Sequence, residues 1–384
     1  MRTVFILTFI FFNALTYSQT VIQGSVMDSA TKKPISAASI FISNTSIGVT
    51  SSSDGKFSIR IPQGKFELVV SCIGYNTKVF ASSEVSVVLN VVLSQKVNEL
   101  EGVVLVPFET KGWEKWGRTF VEAFIGTTDQ AEDCSIQNHE TIKFRFDKKK
   151  NILTAIAREP IIIENKALGY IIKYQLEEFV YNFSERFVFH EGYPLFEQMK
   201  GNERKQSRWN KARKSVYEGS QMHFMRSLYR NTLAENGFEV HRLKKMVNDE
   251  RRRVRGVIHR SGMPSDSSNY FQNILAQPDQ YDVMSSAKLT GDSIAYAVDS
   301  LTAGLEFPDH LQITYTKKKV PLAYTRQFPK NGSAMTSQVK LLSDEPLLIS
   351  SNGSYHSPRN LLNLGFWSWS EKVSTMLPFD YVPD

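Results

Sequence analysis

The sequence predicts a mainly β protein of the α+β class, in which a small β-sandwich precedes a larger domain with a central antiparallel sheet. Residues 38–72 form short runs in which apolar and polar side chains alternate, which is typical of half-buried strands. Longer alternating runs follow within residues 142–189, and helix-spaced apolar residues precede and follow them. With 384 residues the chain is long enough for two domains and a sizeable core.

The first predicted domain consists of short strands and tight turns. Every second residue is apolar in residues 38–42, 57–61 and 66–72, so these runs each bury one face. Asp54-Gly55 separates two of the runs, and its glycine can supply the positive φ angle of a two-residue hairpin. Turn signals recur about every eight to twelve residues, a spacing that favours a β-sandwich.

Glycine, proline and aspartate residues within this stretch form a specific motif set. The set is Gly24-x-Val26-x-Asp28, Pro34-x-x-Ala37-x-Ser39-Ile40, Gly48-x-Thr50, Asp54-Gly55-x-Phe57 and Gly74-Tyr75. It closely resembles the carboxypeptidase regulatory-like domain over residues 20–95, about a fifth of the chain. The resemblance implies an immunoglobulin- or transthyretin-like β-sandwich, which is common at the N-terminus of exported Bacteroidetes proteins, including TonB-dependent receptors. Residues 98–104 resemble the segment that follows it there, although Gly102 interrupts the usual apolar run.

Four segments are predicted along the chain. They are a signal peptide (residues 1–18), the β-sandwich (residues 19–95), a linker (residues 96–112) and an α+β domain of unknown function (residues 113–384). The apolar run Val4–Phe12 is too short to span a bilayer, and the small residues Thr16 and Ser18 precede a cleavage site. We therefore expect an exported protein of the periplasm or outer-membrane periphery, with no transmembrane segment after cleavage.

The larger domain is predicted to begin with a helix and continue as a sheet. Four aromatic residues lie on one stripe of the helix, before a stop at Gly126: Trp113, Trp116, Phe120 and Phe124. The strands are predicted at residues 142–146, 153–157 and 168–176, and after a phase shift at residues 179–189. The longest run should form the centre of an antiparallel sheet.

Two helices are predicted after this sheet. The first covers residues 203–216 and carries a narrow apolar stripe of Trp209, Ala212 and Val216. Ser220 can cap the second helix, which Asn236-Gly237 should end. Its buried candidates are Phe224, Met225 and Leu228.

The remainder of the chain is predicted to return to strands. Residues 311–315 are the clearest strand, and residues 261–269 form a loop-rich tract. Ser368-x-x-Glu371 is typical of a capping box for a short helix before Pro378. The runs around residues 167–196 and 367–378 resemble an uncharacterised extension that follows such sandwiches in Bacteroidetes, and no activity is implied by it.

Familiar catalytic signatures are missing from the sequence. None of the seven histidines belongs to an H-E-x-x-H motif, and His190 and Glu191 are neighbours that a strand would point to opposite faces. Residues 291–294 resemble the nucleophile block of GDSL-type hydrolases, but no aspartate stands three residues before a histidine to complete that family's site. A Gly-Asp turn before a strand is the better explanation of the block. We therefore predict no catalytic, cofactor-binding or metal-binding residues.

Two cysteines do not make a disulfide framework. Cys72 is predicted on the inward face of a strand, where a free thiol behaves as a small apolar side chain. Cys134 belongs to the other predicted domain, so we expect the two to remain unpaired.

The charge balance indicates an anionic partner. The net charge is +7, and removal of the signal peptide with Arg2 leaves +6. Residues 242–260 carry eight Lys and Arg against Asp249 and Glu250. The candidate anionic-ligand residues are Arg204, Arg208, Lys211, Lys214, Arg251, Arg252, Arg253 and Arg255. Export makes nucleic acid an unexpected target and favours an envelope lipid or glycan, or an envelope protein, while a purely solvated face explains the same charges.

The sequence thus predicts a non-enzymatic exported protein that acts in binding or assembly on the periplasmic side of the outer membrane. Two alternatives stay open at this point. One is a hydrolase with an unrecognised site in the second domain, and the other is a structural spacer. A binding module should expose basic and aromatic side chains, whereas an enzyme should have His and carboxylate groups meeting in a pocket.

Overall fold

The computed structural model describes residues 20–62, 64–96, 107–262 and 268–383. The predicted signal peptide and most of the predicted linker lie outside these ranges. The chain divides into two compact units, which comprise Met1–Phe41 with Val49–Lys96, and Ile42–Gly48 with Val97–Asp384.

The first unit is a sandwich of two small sheets, which confirms the predicted fold. Its described residues form β1 (Thr20–Asp28), β2 (Ser39–Ile42), β3 (Gly48–Thr50), β4 (Lys56–Ile61), β5 (Glu67–Ser71), β6 (Lys78–Ala81) and β7 (Val88–Leu93). One sheet has the order β4-β1-β7, and the other has the order β3-β2-β5-β6. Apolar side chains from both sheets are buried, among them Ile22, Ile40, Ile59, Leu68 and Val91.

The prediction of a hairpin at Asp54-Gly55 is wrong in one respect. β3 and β4 belong to different sheets, so the turn carries the chain from one sheet to the other. Gly55 does adopt a φ of +76°, and a Cβ atom there would lie 2.7 Å from the carbonyl oxygen of Val26. Both the backbone angle and the available space therefore require glycine.

Asp28 joins three segments of the sandwich. Its carboxylate accepts the backbone N–H groups of Ala30 and Thr31 at 2.8 and 2.7 Å. It also accepts the Tyr75 hydroxyl at 2.9 Å and the Gln95 amide at 3.1 Å. These hydrogen bonds, above all that from the Thr31 backbone, hold the pKa of Asp28 well below its usual range. One hydrogen-bond network thus accounts for two residues of the motif set, Asp28 and Tyr75.

The second unit contains a six-stranded antiparallel sheet, as predicted. Its strands are β8 (Cys134–Ile136), β9 (Ile142–Asp147), β10 (Ile152–Ala157), β11 (Ile161–Asn165), β12 (Tyr170–Asn182) and β13 (Phe187–Gln198). The order is β8-β11-β12-β10-β9, with β13 paired along β12. Helix α1 (Gly112–Phe124) packs Phe120 against Phe144 and Phe179, with ring centres 5.7 and 4.8 Å apart. These residues belong to the first hydrophobic core of the unit.

The predicted phase shift in the long alternating run is a β-bulge. The register between β12 and β13 shifts between Leu176 and Glu178. An extra residue at a bulge changes which face the following side chains occupy. Tyr174 and Leu176 before the bulge and Phe179 after it therefore all reach the same core.

A second hydrophobic core lies between two further sheets and several helices. The strands are β14 (Phe238–Val247), β15 (Gln280–Lys288), β16 (Ala295–Ala297), β17 (Thr302–Leu305), β18 (His310–Lys319), β19 (Ala334–Leu341), β20 (Leu347–Ser350), β21 (Tyr355–His356) and β22 (Leu361–Gly365). They form the orders β15-β14-β18-β19-β22 and β16-β17-β20-β21. The remaining helices are α2 (Glu203–Tyr217), α3 (Gln221–Tyr229), α4 (Asp249–Ser261), α5 (Ser268–Ala276), α6 (Leu322–Gln327) and α7 (Phe366–Ser370).

The ends of two helices differ from the predictions. Helix α3 is capped by Ser220 as predicted, but it ends at Tyr229, where Asn231 takes a left-handed φ of +53°, rather than at Asn236-Gly237. The predicted capping box at Ser368 is wrong, because α7 begins at Phe366 and the Ser368 hydroxyl donates to the carbonyl of Gly365 at 2.9 Å.

Helices α4 and α5 were not predicted from the sequence, and for α4 the reason is that its many arginines were interpreted as a charged tract. The signal was present: Asn248 precedes an acidic first turn, and His259 and Arg260 occupy the last turn. The Asn248 side chain accepts the Arg251 N–H at 3.0 Å, as an N-cap residue does.

Candidate anionic-ligand surfaces

Helix α2 is held against the six-stranded sheet by polar as well as apolar contacts. The buried line is Trp209, Arg213 and Tyr217, exposed by only 3%, 5% and 7%, while the predicted stripe residues Ala212 and Val216 are half-buried. The Trp209 indole donates to the carbonyl of Lys166 at 2.9 Å. The predicted stripe is correct for Trp209, but the other fully buried positions are Arg213 and Tyr217 rather than Ala212 and Val216. The sequence alone assigns an arginine to solvent, whereas Arg213 hydrogen-bonds buried carbonyl groups.

The guanidinium of Arg213 is fixed by the turn before β12. Its Nε donates to the carbonyl of Leu168 at 2.8 Å, and a second nitrogen donates to Gly169 at 3.2 Å. The same group lies over the Tyr170 ring, 4.1 Å from its centre. This cation is therefore part of the anchor of α2 and is not available to a ligand.

The opposite side of α2 is a basic surface, which we call the α2 face and define as Arg204, Arg208, Lys211 and Lys214. All four side chains are exposed, and all four are candidates from the sequence. Within the ranges that the structure describes, no ion pair is formed by Arg204, Arg208 or Lys211. The helix begins with Glu203 as its acidic residue, so the face carries concentrated positive charge on a rigid support.

The other four candidate arginines lie on α4 and are largely neutralised. Arg251 and Arg255 both pair with Asp279, the latter at 3.1 Å. Arg252 pairs with Asp249 at 3.6 Å, and Arg253 pairs with Glu250 at 2.6 Å. The sequence neighbourhood had indicated little compensation, but the fold brings Asp279 to the same place.

The acid–base pairs of α4 also involve α5. Glu250 accepts hydrogen bonds from Arg253 and from the Tyr270 hydroxyl, and these, led by Arg253, lower the pKa of Glu250 to about 2. The Nε of Arg251 donates to the carbonyl of Leu275 at 3.1 Å. Arg251 and Glu250 thus join α4 to α5, and the arginines of α4 are engaged in pairs within this part of the fold.

A half-buried histidine lies beside aromatic residues of the first core. The ring centres of His190 and Phe124 are 5.0 Å apart, and the His190 Nδ1 is 3.2 Å from the Tyr174 hydroxyl oxygen. Burial, together with the charge of Lys372, lowers the pKa of His190 to about 3. Its neighbour Glu191 instead pairs with Arg359 at 2.6 Å, which confirms that the two side chains point apart.

The described residues contain a groove but no metal-binding cluster. No cluster of three or more His, Cys, Asp or Glu suited to a metal ion occurs among the described residues. A groove of about 300 Å³ near the start of α1 is lined by residues that include Lys111, Trp113, His139 and Glu140, with the Trp113 and His139 rings stacked 4.7 Å apart. Ser293 donates to the carbonyl of Thr290 at 2.7 Å, as expected for a turn residue rather than a nucleophile.

Comparison with known proteins defines the class of the first unit. The family model of the CarboxypepD_reg-like domain matches residues 22–105. This part of the chain is therefore a carboxypeptidase regulatory-like domain, a class of regulatory and non-catalytic domains. The match covers less than a quarter of the chain and ends at residue 105.

Two further comparisons concern the whole chain. No curated protein matches the chain. A solved structure from Bacteroides fragilis, described as a "putative membrane-associated protein of unknown function", is 10% identical and covers 86% of this chain and 93% of its own, with a TM-score of 0.16. A TM-score of this size does not indicate a shared fold.

Across the described ranges, no helix has both the length and the apolar character needed to cross a bilayer.

Proposed function

We propose that the protein is a non-enzymatic, exported cell-envelope protein that acts in binding or assembly on the periplasmic side of the outer membrane. The observation that supports this is the α2 face, where four exposed cations stand on a helix whose other side is fixed by Trp209 and Arg213. The regulatory-like class of the first unit fits a role without catalysis. The proposed ligand is an anionic envelope lipid or glycan that presents phosphate or carboxylate groups.

The α2 face should provide most of the binding energy. Each basic side chain near an anionic surface contributes about 1 kcal/mol, so four together contribute about 4 kcal/mol, which corresponds to a dissociation constant of about 1 mM at low salt. Arg251, Arg252, Arg253 and Arg255 contribute less in this proposal, because each already has a carboxylate partner. Binding should weaken as salt rises, since the screening length falls to about 8 Å near physiological ionic strength.

Deacylated lipopolysaccharide, a soluble phosphorylated saccharide, is the probe for this proposal. The α2 variant changes Arg204, Arg208, Lys211 and Lys214 to Ser, and the α4 variant changes Arg251, Arg252, Arg253 and Arg255 to Ser. A matched control removes four exposed cations elsewhere in the second unit: Lys319, Arg326, Lys330 and Lys340. Calorimetry should show that the α2 variant loses most of the binding, that the α4 variant loses less, and that the control binds as the wild type does.

Three results would contradict the proposal. Absence of wild-type binding at low salt would favour a structural spacer. Equal losses in the α2 variant and the control would show that only total charge matters. Turnover of the saccharide by the purified protein would favour the hydrolase alternative.

A further inference from the structure

Two turns meet at one end of the six-stranded sheet, and we call this region the sheet tip. It comprises the turn between β9 and β10, residues 147–151, and the turn between β12 and β13, residues 182–187. The Asn151 amide donates to the Ser184 hydroxyl at 3.2 Å, and the Phe183 N–H donates to the Asn151 carbonyl at 3.1 Å. These bonds hold the two turns together as one surface.

The sheet tip is positively charged. Lys148, Lys149, Lys150 and Arg186 are exposed, and none of them forms an ion pair in the part of the chain that the structure describes. The acidic residues of the two turns are Asp147 and Glu185. The Asp147 carboxylate accepts hydrogen bonds from the backbone N–H groups of Lys149 and Lys150 at 2.9 and 3.1 Å, so it shapes the turn.

Aromatic rings stand directly behind these charges. The ring centre of Trp116 lies 4.7 Å from that of Phe146 and 6.0 Å from that of Phe183. The Phe183 ring stacks on the Tyr181 ring, with 4.3 Å between their centres. All four rings are only partly buried, so the first core ends here in aromatic side chains that water still reaches. Phe187, the first residue of β13, is 37% exposed at the same end.

We propose that the sheet tip docks on an anionic lipid bilayer, with its lysines on the headgroup phosphates and Phe187 in the interfacial layer. Aromatic rings favour the interface between headgroups and acyl chains, and basic side chains favour anionic headgroups, so the two together match this surface. A soluble polyanion would satisfy the charges but gives the exposed ring no apolar layer. The proposal rests on the proposed function only for the location of the protein at the envelope, since the residues are different ones.

Co-sedimentation with vesicles of phosphatidylglycerol mixed with phosphatidylcholine tests the proposal, with vesicles of pure phosphatidylcholine alongside. The tip variant changes Lys148, Lys149 and Lys150 to Ser, and the control variant changes Lys319, Arg326 and Lys330 to Ser, which removes the same charge elsewhere. The tip variant should bind anionic vesicles ~100-fold more weakly at low salt, and the control should bind as the wild type does. Thermal unfolding of each variant checks that the fold is kept.

A second variant separates the bilayer from a soluble polyanion. Phe187→Ser should weaken vesicle binding about threefold to tenfold with an unchanged salt dependence, because it removes an apolar contact and no charge. Binding of deacylated lipopolysaccharide should be unaffected by it. The proposal is overturned if the wild type does not bind anionic vesicles, if the tip and control variants lose binding equally, or if Phe187→Ser binds vesicles as the wild type does. Each of these results can occur while the α2 face still binds the saccharide.

Discussion

The Glu371 carboxylate accepts the backbone N–H of Gln221, the first residue of α3, at 3.0 Å. Ser220 caps the same helix by accepting the His223 N–H at 3.1 Å. Around this point the Tyr355 hydroxyl donates to the Gln221 side chain at 3.1 Å, and that side chain donates to Asn363 at 3.3 Å. A buried polar network therefore joins the start of α3 to β21 and β22.

The stability of the protein should fall with rising pH through Glu371. Burial raises the pKa of this carboxyl from 4.5 to about 7, although the Gln221 hydrogen bond acts in the opposite direction. Between these values the unfolded chain is ionised and the folded chain still holds the proton, so the free energy of unfolding decreases by up to ~3 kcal/mol as pH rises.

Glu371→Gln isolates this effect, because glutamine keeps the acceptor for Gln221 and removes the titration. Chemical denaturation should show that the variant gains stability relative to the wild type on going from about pH 5 to about pH 8. Tyr355 and Lys372, the neighbouring titratable groups, are present in both proteins. A constant difference across this range would show that Glu371 does not titrate in this way.

Arg213 should matter for stability rather than for binding. Arg213→Ala removes the donors to Leu168 and Gly169 and leaves those buried carbonyl groups unsatisfied, at a cost of about 2–3 kcal/mol in the free energy of unfolding. Lys211→Ala, at an exposed position of the same helix, should change stability by less than ~0.5 kcal/mol. Urea denaturation of both variants decides the matter, and equal effects would contradict the assigned role.

Two glycines should respond in opposite directions to alanine. Gly169 has a φ of +70°, and a Cβ atom there would lie 2.2 Å from the Trp209 ring, so Gly169→Ala should destabilise by at least ~2 kcal/mol. Gly256 lies within α4, where the nearest atom to a Cβ would be 3.8 Å away, so Gly256→Ala should stabilise by about 0.5–1 kcal/mol. Melting curves that shift the same way for both variants would refute this explanation.

The two cysteines should remain unpaired. Both are free, and Cys134 donates to the carbonyl of Gln130 at 3.3 Å while burial raises its pKa to about 12. Cys72, predicted on an inward strand face, instead follows the end of β5 and is half-buried. Thiol labelling of the folded protein should therefore be faster at Cys72, and non-reducing peptide mapping should show two separate cysteine peptides. A joined peptide is the contrary result.

The fold was predictable where a local pattern coincides with a buried face. Alternation placed β9, β10 and β12, and even the bulge after Leu176 was visible as a change of phase. The pattern failed where distant contacts decide. Glu371 resembled a local capping residue, but it caps a helix that lies 150 positions earlier in the chain.

The candidate residues were found from the sequence, but their state of neutralisation was not. The four exposed cations of the α2 face follow from helical spacing alone. The pairing of Arg251 and Arg255 with Asp279 depends on how β15 returns beside α4, which no local pattern reveals. The inward position of Arg213 was missed for the same reason, since its partners are backbone carbonyl groups.

We expect the α2 face, rather than total charge, to hold an anionic envelope ligand. The affinity for deacylated lipopolysaccharide across a salt series tests this most directly, measured for the wild type and for the variant with Arg204, Arg208, Lys211 and Lys214 changed to Ser. The wild type should lose affinity steeply as salt rises, and the variant should bind weakly with a shallow salt dependence. Identical affinities and salt slopes for the two proteins would contradict the claim.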